Sequence, residues 1–191
     1  VSRERTLPYF RLNLTRFLAG EVSESDLLIQ HKDWFDTQKI EYLVGDAHTI
    51  DRDEQKVTLR DGSQLRYDRL ILSNGAHPFI PPIPGANRDG VTVLRTLENA
   101  SELIESLRSG CRAVCIGGGL LGLETARALQ KRGASVTVLE GFNWLLPRQL
   151  PAKAAELLKA HLISQHLAVE CGIQVKEFTG DEAVHGVLLE D

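Results

Sequence analysis

Apolar positions recur along this chain with two different periods. At helical spacing, Leu157, Leu158 and Leu162 line one side of a segment that begins with a proline, which predicts an amphipathic helix over Pro151 to Gln165. Leu97, Leu103 and Leu107 fall near one face of a second helix, Thr96 to Leu107, and Leu120 to Arg132 reads as a third. Ser23, with Asp26 three residues on, caps a short helix to Ile29. Strands are predicted at Ile40 to Val44, Ala113 to Ile116 and Ser135 to Leu139, and short strands over Leu167 to Asp191. Lys56 to Arg60 and Gln64 to Tyr67 flank Asp61-Gly62, a hairpin signature. Arg69 to Ser73 reads as a buried strand that ends at Gly75, and residues 1–20, rich in arginine, as irregular.

Between these runs lies Pro78-Phe-Ile-Pro-Pro-Ile-Pro84, four prolines in seven residues, which neither a helix nor an inner strand accommodates. It predicts a stiff, extended connection. We therefore expect one domain over 1–80, a linker and connecting helix over 81–110, and a second domain over 111–191.

The composition narrows the function classes. At 42% hydrophobic and 25% charged over 191 residues, the chain has the balance of a soluble, core-forming protein. No apolar run nears the roughly 20 residues of a membrane span. The net charge of −4 is spread over both halves, so no basic face invites nucleic acid. Cys111, Cys115 and Cys171 fit neither a secreted disulfide framework nor a metal or redox motif, and are expected to be reduced, buried thiols in the cytoplasm. The six histidines are scattered without metal spacing, and no side chain stands out as a catalytic nucleophile or base. The first residue is Val, there is no Met, and Arg3, Glu4 and Arg5 exclude a signal peptide, which suggests a piece of a longer chain.

The most informative segment is Ala113-Val-Cys-Ile-Gly117-Gly118-Gly119-Leu120-Leu121-Gly122-Leu-Glu124-Thr-Ala126. A G-x-G-x-x-G pattern is weak alone, but here a strand runs into it, a helix starts within it, and a second strand follows. That strand ends in Glu140, 23 residues after Gly117 and near the spacing of about 20 at which an acid meets a ribose. Gly117 permits the tight turn, Gly119 lets the backbone approach a pyrophosphate, and Gly122 and Ala126 let the helix pack on the sheet. With Gly118, Leu120 and Leu121 they bring free N–H groups and the positive helix end to the phosphates. Glu140 would accept from the adenosine ribose and repel a 2′-phosphate, and Gly141, Phe142 and Asn143 supply no arginine, so NADH is expected over NADPH. The predicted fold class is α/β with a Rossmann-type NAD-binding domain and a small antiparallel hairpin region.

With these motifs the chain resembles the pyridine nucleotide–disulfide oxidoreductases, the two-dinucleotide flavoproteins, over nearly its whole length. Pro8-Tyr-Phe-Arg11-Leu-Asn-Leu-Thr15-Arg16 is similar to a segment of the ferredoxin and rubredoxin reductase branch. Tyr67-Asp-Arg-Leu-Ile-Leu-Ser73-Asn74-Gly75-Ala-His-Pro78 is similar to the segment that closes the FAD domain. Leu145-Leu-Pro-Arg148-Gln-Leu150 is similar to part of the NADH-binding region of assimilatory nitrite reductase. The resemblance implies an NAD-binding domain inserted in a partial FAD-binding domain, with hydride passing from NADH to FAD and electrons to a carrier protein or fused redox domain. It implies FAD contacts at Glu4, Arg11, Thr15, Arg16, Ser73, Asn74 and Gly75, and a pairing of Arg16 with Glu124 across the nicotinamide pocket. The chain departs from the family in having Ser73-Asn74 for Ala-Thr, Arg16 for Lys, and no cysteine in residues 1–110, which argues against the thiol-dependent branches. The rest of the FAD domain and an interface domain are expected outside these residues, and this piece alone is expected to be inactive. The alternative reading is a non-catalytic nicotinamide-binding sensor.

Overall fold

The computed structural model describes residues 1–108 and 110–190. Ser109 and Asp191, in the expected connecting segment and at the end of the expected NAD domain, lie outside the described residues. In chain order the elements are α1 (Leu14–Leu18), α2 (Glu24–Leu27), α3 (Lys32–Thr37), β1 (Ala47–Asp51), β2 (Lys56–Leu59), β3 (Gln64–Arg66), α4 (Leu97–Ser106), β4 (Arg112–Ile116), α5 (Leu120–Lys131), β5 (Ser135–Glu140), α6 (Ala152–Ser164), β6 (Ala168–Cys171), β7 (Val175–Gly180) and β8 (Val184–Leu189). They fall into two compact units, one of Val1–Phe10 with Ser25–His77 and one of Arg11–Glu24 with Pro78–Asp191.

The first unit is built on an antiparallel sheet of order β1-β2-β3. The β2–β3 turn is the expected hairpin: Gly62 takes φ +86, and the Asp61 carboxylate accepts the Ser63 N–H at 2.9 Å. Strand β1 was not expected, because all five of its side chains are exposed and carry no apolar alternation. Its pairing is made by the backbone, with Ile50 opposite Val57 and Asp51 opposite Lys56. Two expected strands are absent. Ile40 to Val44 forms only an isolated bridge between Val44 and Ser2. Arg69 to Ser73 is neither strand nor buried, with Ile71 88% and Leu72 66% exposed. An apolar run becomes a strand only when another strand satisfies its N–H and C=O groups, and among the described residues none flanks this one.

The second unit carries a parallel sheet of order β4-β5-β6, with α5 joining β4 to β5 and α6 leading into β6. Five residues pair in register from Arg112–Ser135 to Ile116–Leu139, so β4 and β5 reach their C-terminal ends together. The core gathers Leu123, Ala126 and Leu129 of α5 with Val136 and Val138 of β5, Val169 of β6, and Leu18 of α1. Helix α1 lies in the stretch read as irregular; its five residues are too few for a hydrophobic period, and Leu18, fully buried, anchors it. Helix α4 starts at a Thr96–Asn99 capping box that satisfies two of its orphan donors. On α6, Leu158 and Leu162 pack with the core beside Ala155, whereas Leu157 is 71% exposed. The buried stripe runs 155, 158, 162, and Leu157 sits about 100° around the helix from Leu158. Hairpin β7–β8 completes the unit, with the Arg88 guanidinium donating to the carbonyl oxygens of Phe178 and Asp181. No helix among the described residues is long and apolar enough to cross a membrane.

Candidate functional site

The glycine turn sits where β4 ends. The Gly117 N–H donates to Leu139 O at 2.8 Å, and its φ of +105 reverses the chain toward α5. The four glycines are glycine for different reasons. A Cβ on Gly122 would overlap the Gly117 carbonyl oxygen, and one on Gly118 would overlap Leu145 and come within 3.0 Å of Glu140 Oε2. Gly117 needs its left-handed φ. Gly119 has an ordinary φ of −79°, and a Cβ there would meet no protein atom within 4 Å. Its missing side chain leaves open a space in front of α5, a twelve-residue helix with no side-chain cap at its N-terminus. Leu120 and Leu121 are exposed beside it. Uncapped N–H groups, a positive dipole end and an open cradle suit a pyrophosphate.

Glu140 closes the other side. Although the residue is only 7% exposed, both oxygens of its carboxylate are hydrogen-bonded: Oε2 accepts the Gly118 N–H at 2.6 Å and Oε1 accepts the Phe142 N–H at 2.8 Å. Each oxygen keeps a second acceptor position for a ribose hydroxyl. The residues of this turn therefore fit a dinucleotide.

On the same unit an open groove of about 640 Å³ runs between α1 and α5. Thr15, Arg16 and Glu124 all line it, together with Leu120 and Leu123. The expected Arg16–Glu124 pair is not formed. The buried Thr15 hydroxyl donates to Glu124 Oε2 at 3.1 Å instead, and Arg16 Nε lies 3.4 Å from Glu21 Oε2. Glu21 lies in the turn directly after α1 on the same short stretch of chain, so it takes the guanidinium. Lys131 Nζ lies 2.5 Å from the other Glu21 oxygen. Lys131 first, and Arg16 after it, hold the Glu21 carboxyl below its ordinary range. Arg11 donates to Arg95 O at 2.5 Å. Glu21, Lys131 and Arg132 were not singled out in the sequence; only an acid a few residues after Arg16 hinted at the first.

The remaining expected residues belong to the first unit. Glu4 Oε2 accepts the Tyr9 hydroxyl at 2.5 Å. Ser73, Asn74 and Gly75 are exposed and outside regular structure, with Gly75 at φ +67.

The three cysteines are free and half-buried rather than fully buried. Burial pushes the Cys115 thiol up to about 11, and burial also raises Cys171. The thiolate is the reactive form, so Cys115 is expected to resist iodoacetamide at pH 8, at about a thousandth of its limiting rate, and to gain about tenfold per pH unit below 11. Peptide mapping after timed alkylation checks this; labelling at the rate of an unperturbed thiol would contradict it. Among the described residues no group of His, Cys, Asp and Glu could hold a metal ion.

Comparison with known proteins agrees with this geometry. The description "Pyridine nucleotide-disulphide oxidoreductase" matches residues 1–191. The chain is 34% identical over 184 residues to the nitrite reductase (NAD(P)H) of Bacillus subtilis (strain 168), covering 96% of this chain and 23% of that protein. It is 39% identical over 155 residues to the assimilatory nitrate reductase electron transfer subunit of the same organism, covering 81% and 20%. The putidaredoxin reductase–putidaredoxin complex superposes with a TM-score of 0.89 at 30% identity, covering 97% of this chain and 46% of that one. The chain thus spans about a quarter or less of these two curated relatives. With the glycine turn, the buried Glu140 and the parallel sheet in place, a match over all 191 residues identifies the family: the chain belongs to the pyridine nucleotide–disulphide oxidoreductases.

Proposed function

We propose that this chain is the central part of an NADH-dependent flavoprotein that passes reducing equivalents to a redox protein or a fused redox centre. The observation that carries the reading is the Gly117–Gly122 turn closed by the buried Glu140. Residues 111–191 would bind NADH, 1–80 would supply part of the FAD domain, and 81–110 would connect them. Gly117 to Gly122 and the start of α5 would hold the pyrophosphate, and Glu140 the adenosine ribose, which favours NADH over NADPH. Glu4, Arg11, Thr15, Arg16 and Ser73 to Gly75 would hold FAD.

When bound, FAD supplies the hydride-accepting and electron-releasing chemistry. The chain's own residues supply position and electrostatics. Thr15 holds the Glu124 carboxylate in the groove, Leu120 and Leu123 give a flat ring an apolar wall, and Arg16 offers a fixed positive charge on the same wall. The relatives support an electron carrier or a nitrite-reducing centre as the acceptor, and the unpaired thiols suit a cytoplasmic setting.

The test is anaerobic addition of NADH to the full-length protein. A yellow protein that bleaches with NADH and then reduces ferricyanide is the expected result. Binding of NADH without bleaching would replace this reading by a nicotinamide sensor.

A further inference from the structure

Helix α1 carries Thr15 and Arg16, yet five residues do not make a stable helix on their own. What holds it against α5 is spread along both helices. Toward its start, Thr15 donates to Glu124. Toward its end, the N–H groups of Ala19, Gly20 and Glu21 close on the Thr15, Phe17 and Arg16 carbonyls, and the last carbonyl oxygens face the end of α5. Arg132, just after α5, reaches them: its Nε donates to Leu18 O at 2.8 Å, and its Nη2 lies 3.4 Å from Phe17 O. The guanidinium also packs on Gly20, where a Cβ would lie 3.2 Å from Nη2. Beside it, Lys131 binds Glu21, which in turn holds Arg16.

We propose that Lys131 and Arg132 are positioning residues for the reaction: a two-cation clasp at the end of the dinucleotide-binding helix that fixes α1, and with it Thr15, Arg16 and Glu124, beside the nicotinamide site. This rests on the flavoprotein reading above. Neither residue lies at the glycine turn or Glu140, so neither is a ligand of the adenosine half. A cation at a helix C-terminus is favoured by the dipole, and Arg132 adds directed hydrogen bonds that a surface ion pair such as Lys131–Glu21 does not supply alone. The clasp explains why Thr15, rather than Arg16, meets Glu124: Glu21, held by Lys131, draws Arg16 toward the far end of the groove.

The experiment compares full-length Arg132→Met, Lys131→Met and Arg132→Lys with the parent in two measurements. The first is hydrogen exchange at the Ala19, Gly20 and Glu21 amides, which close the end of α1 on Thr15, Phe17 and Arg16 carbonyls. The second is flavin reduction by NADH in rapid mixing, with NADH affinity measured separately. Arg132→Met is expected to speed exchange at these amides and slow flavin reduction, each by about tenfold, the ordinary consequence of losing a charge-assisted hydrogen bond, with NADH affinity unchanged. Lys131→Met should do the same more weakly, and Arg132→Lys should restore most of both. Unchanged exchange overturns the clasp. Faster exchange with an unchanged reduction rate overturns its positioning role, and so does a loss of NADH affinity that matches the loss of rate. Should the parent protein show no flavin reduction, the flavoprotein reading fails, and the exchange comparison still decides whether the clasp holds α1.

Discussion

Glu140→Gln is expected to weaken the fold and abolish the choice of nicotinamide nucleotide together. The parent carboxylate accepts two backbone N–H groups at 2.6 and 2.8 Å while 7% exposed. A glutamine has one acceptor oxygen, so one N–H, from Gly118 or Phe142, must face an NH₂ group. Leaving a buried donor unsatisfied costs about 1–3 kcal/mol, and removing the charge weakens the bond that survives. The Gly118 N–H also ties the glycine turn to β5, beside the bond from Gly117 N–H to Leu139 O, so the cradle loosens with the fold. For NADH, the ribose loses a charged acceptor, about 1.5–3 kcal/mol or roughly ten- to a hundredfold in affinity. For NADPH the same change removes a repulsion against the 2′-phosphate, so its affinity should hold or rise. Urea unfolding and calorimetric titration of both nucleotides check the two halves. Equal NADH and NADPH affinities in the parent, or the same ratio in the variant, would remove Glu140 from the role proposed for it.

The residues that were legible in advance share a property: their chemistry is local. The Asp61-Gly62 hairpin and the Gly117 turn each depend on a few neighbouring residues, and each formed as expected. The differences from expectation concern backbone pairing and competition between charges, which apolar pattern does not report. Ile71 and Leu72 are apolar enough for a buried strand but lack a flanking strand among the described residues, so they stay exposed. Strand β1 is polar enough for a loop yet is ordered by backbone bonds to β2. Family resemblance pairs Arg16 with Glu124, but Arg16 lies against Glu21, five residues on, which Lys131 also binds. Of the candidate site, the glycine turn was readable because one continuous stretch builds it. The α1–α5 groove was only half readable, because its walls come from separate stretches, the two main ones about a hundred residues apart.

The glycine turn makes the sharpest prediction, since substitutions at two of its glycines should both lose affinity for NADH but only one of them stability. Gly122→Ala would place a Cβ on the Gly117 carbonyl oxygen. Gly117 has little room to yield: its φ is +105, and its N–H is held at 2.8 Å by Leu139 O. The start of α5 must therefore lift from the turn. Overpacking of this kind costs about 1–3 kcal/mol. A shift of about 1 Å in the N–H groups facing the phosphates should lower NADH affinity by up to about a hundredfold. Gly119→Ala differs at each step. Its φ of −79° suits an alanine, and no protein atom lies within 4 Å of the added Cβ, so stability should stay within about 1 kcal/mol of the parent. Yet the methyl group would stand in the open space before the helix, where the pyrophosphate is expected, and NADH affinity should fall at least tenfold, about 1.4 kcal/mol. Thermal unfolding without nucleotide, followed by NADH titration, separates the two variants. If Gly119→Ala binds NADH as the parent does, the space in front of α5 is not the phosphate site. If Gly122→Ala is as stable as the parent, the contact between helix and turn is looser than the backbone geometry requires.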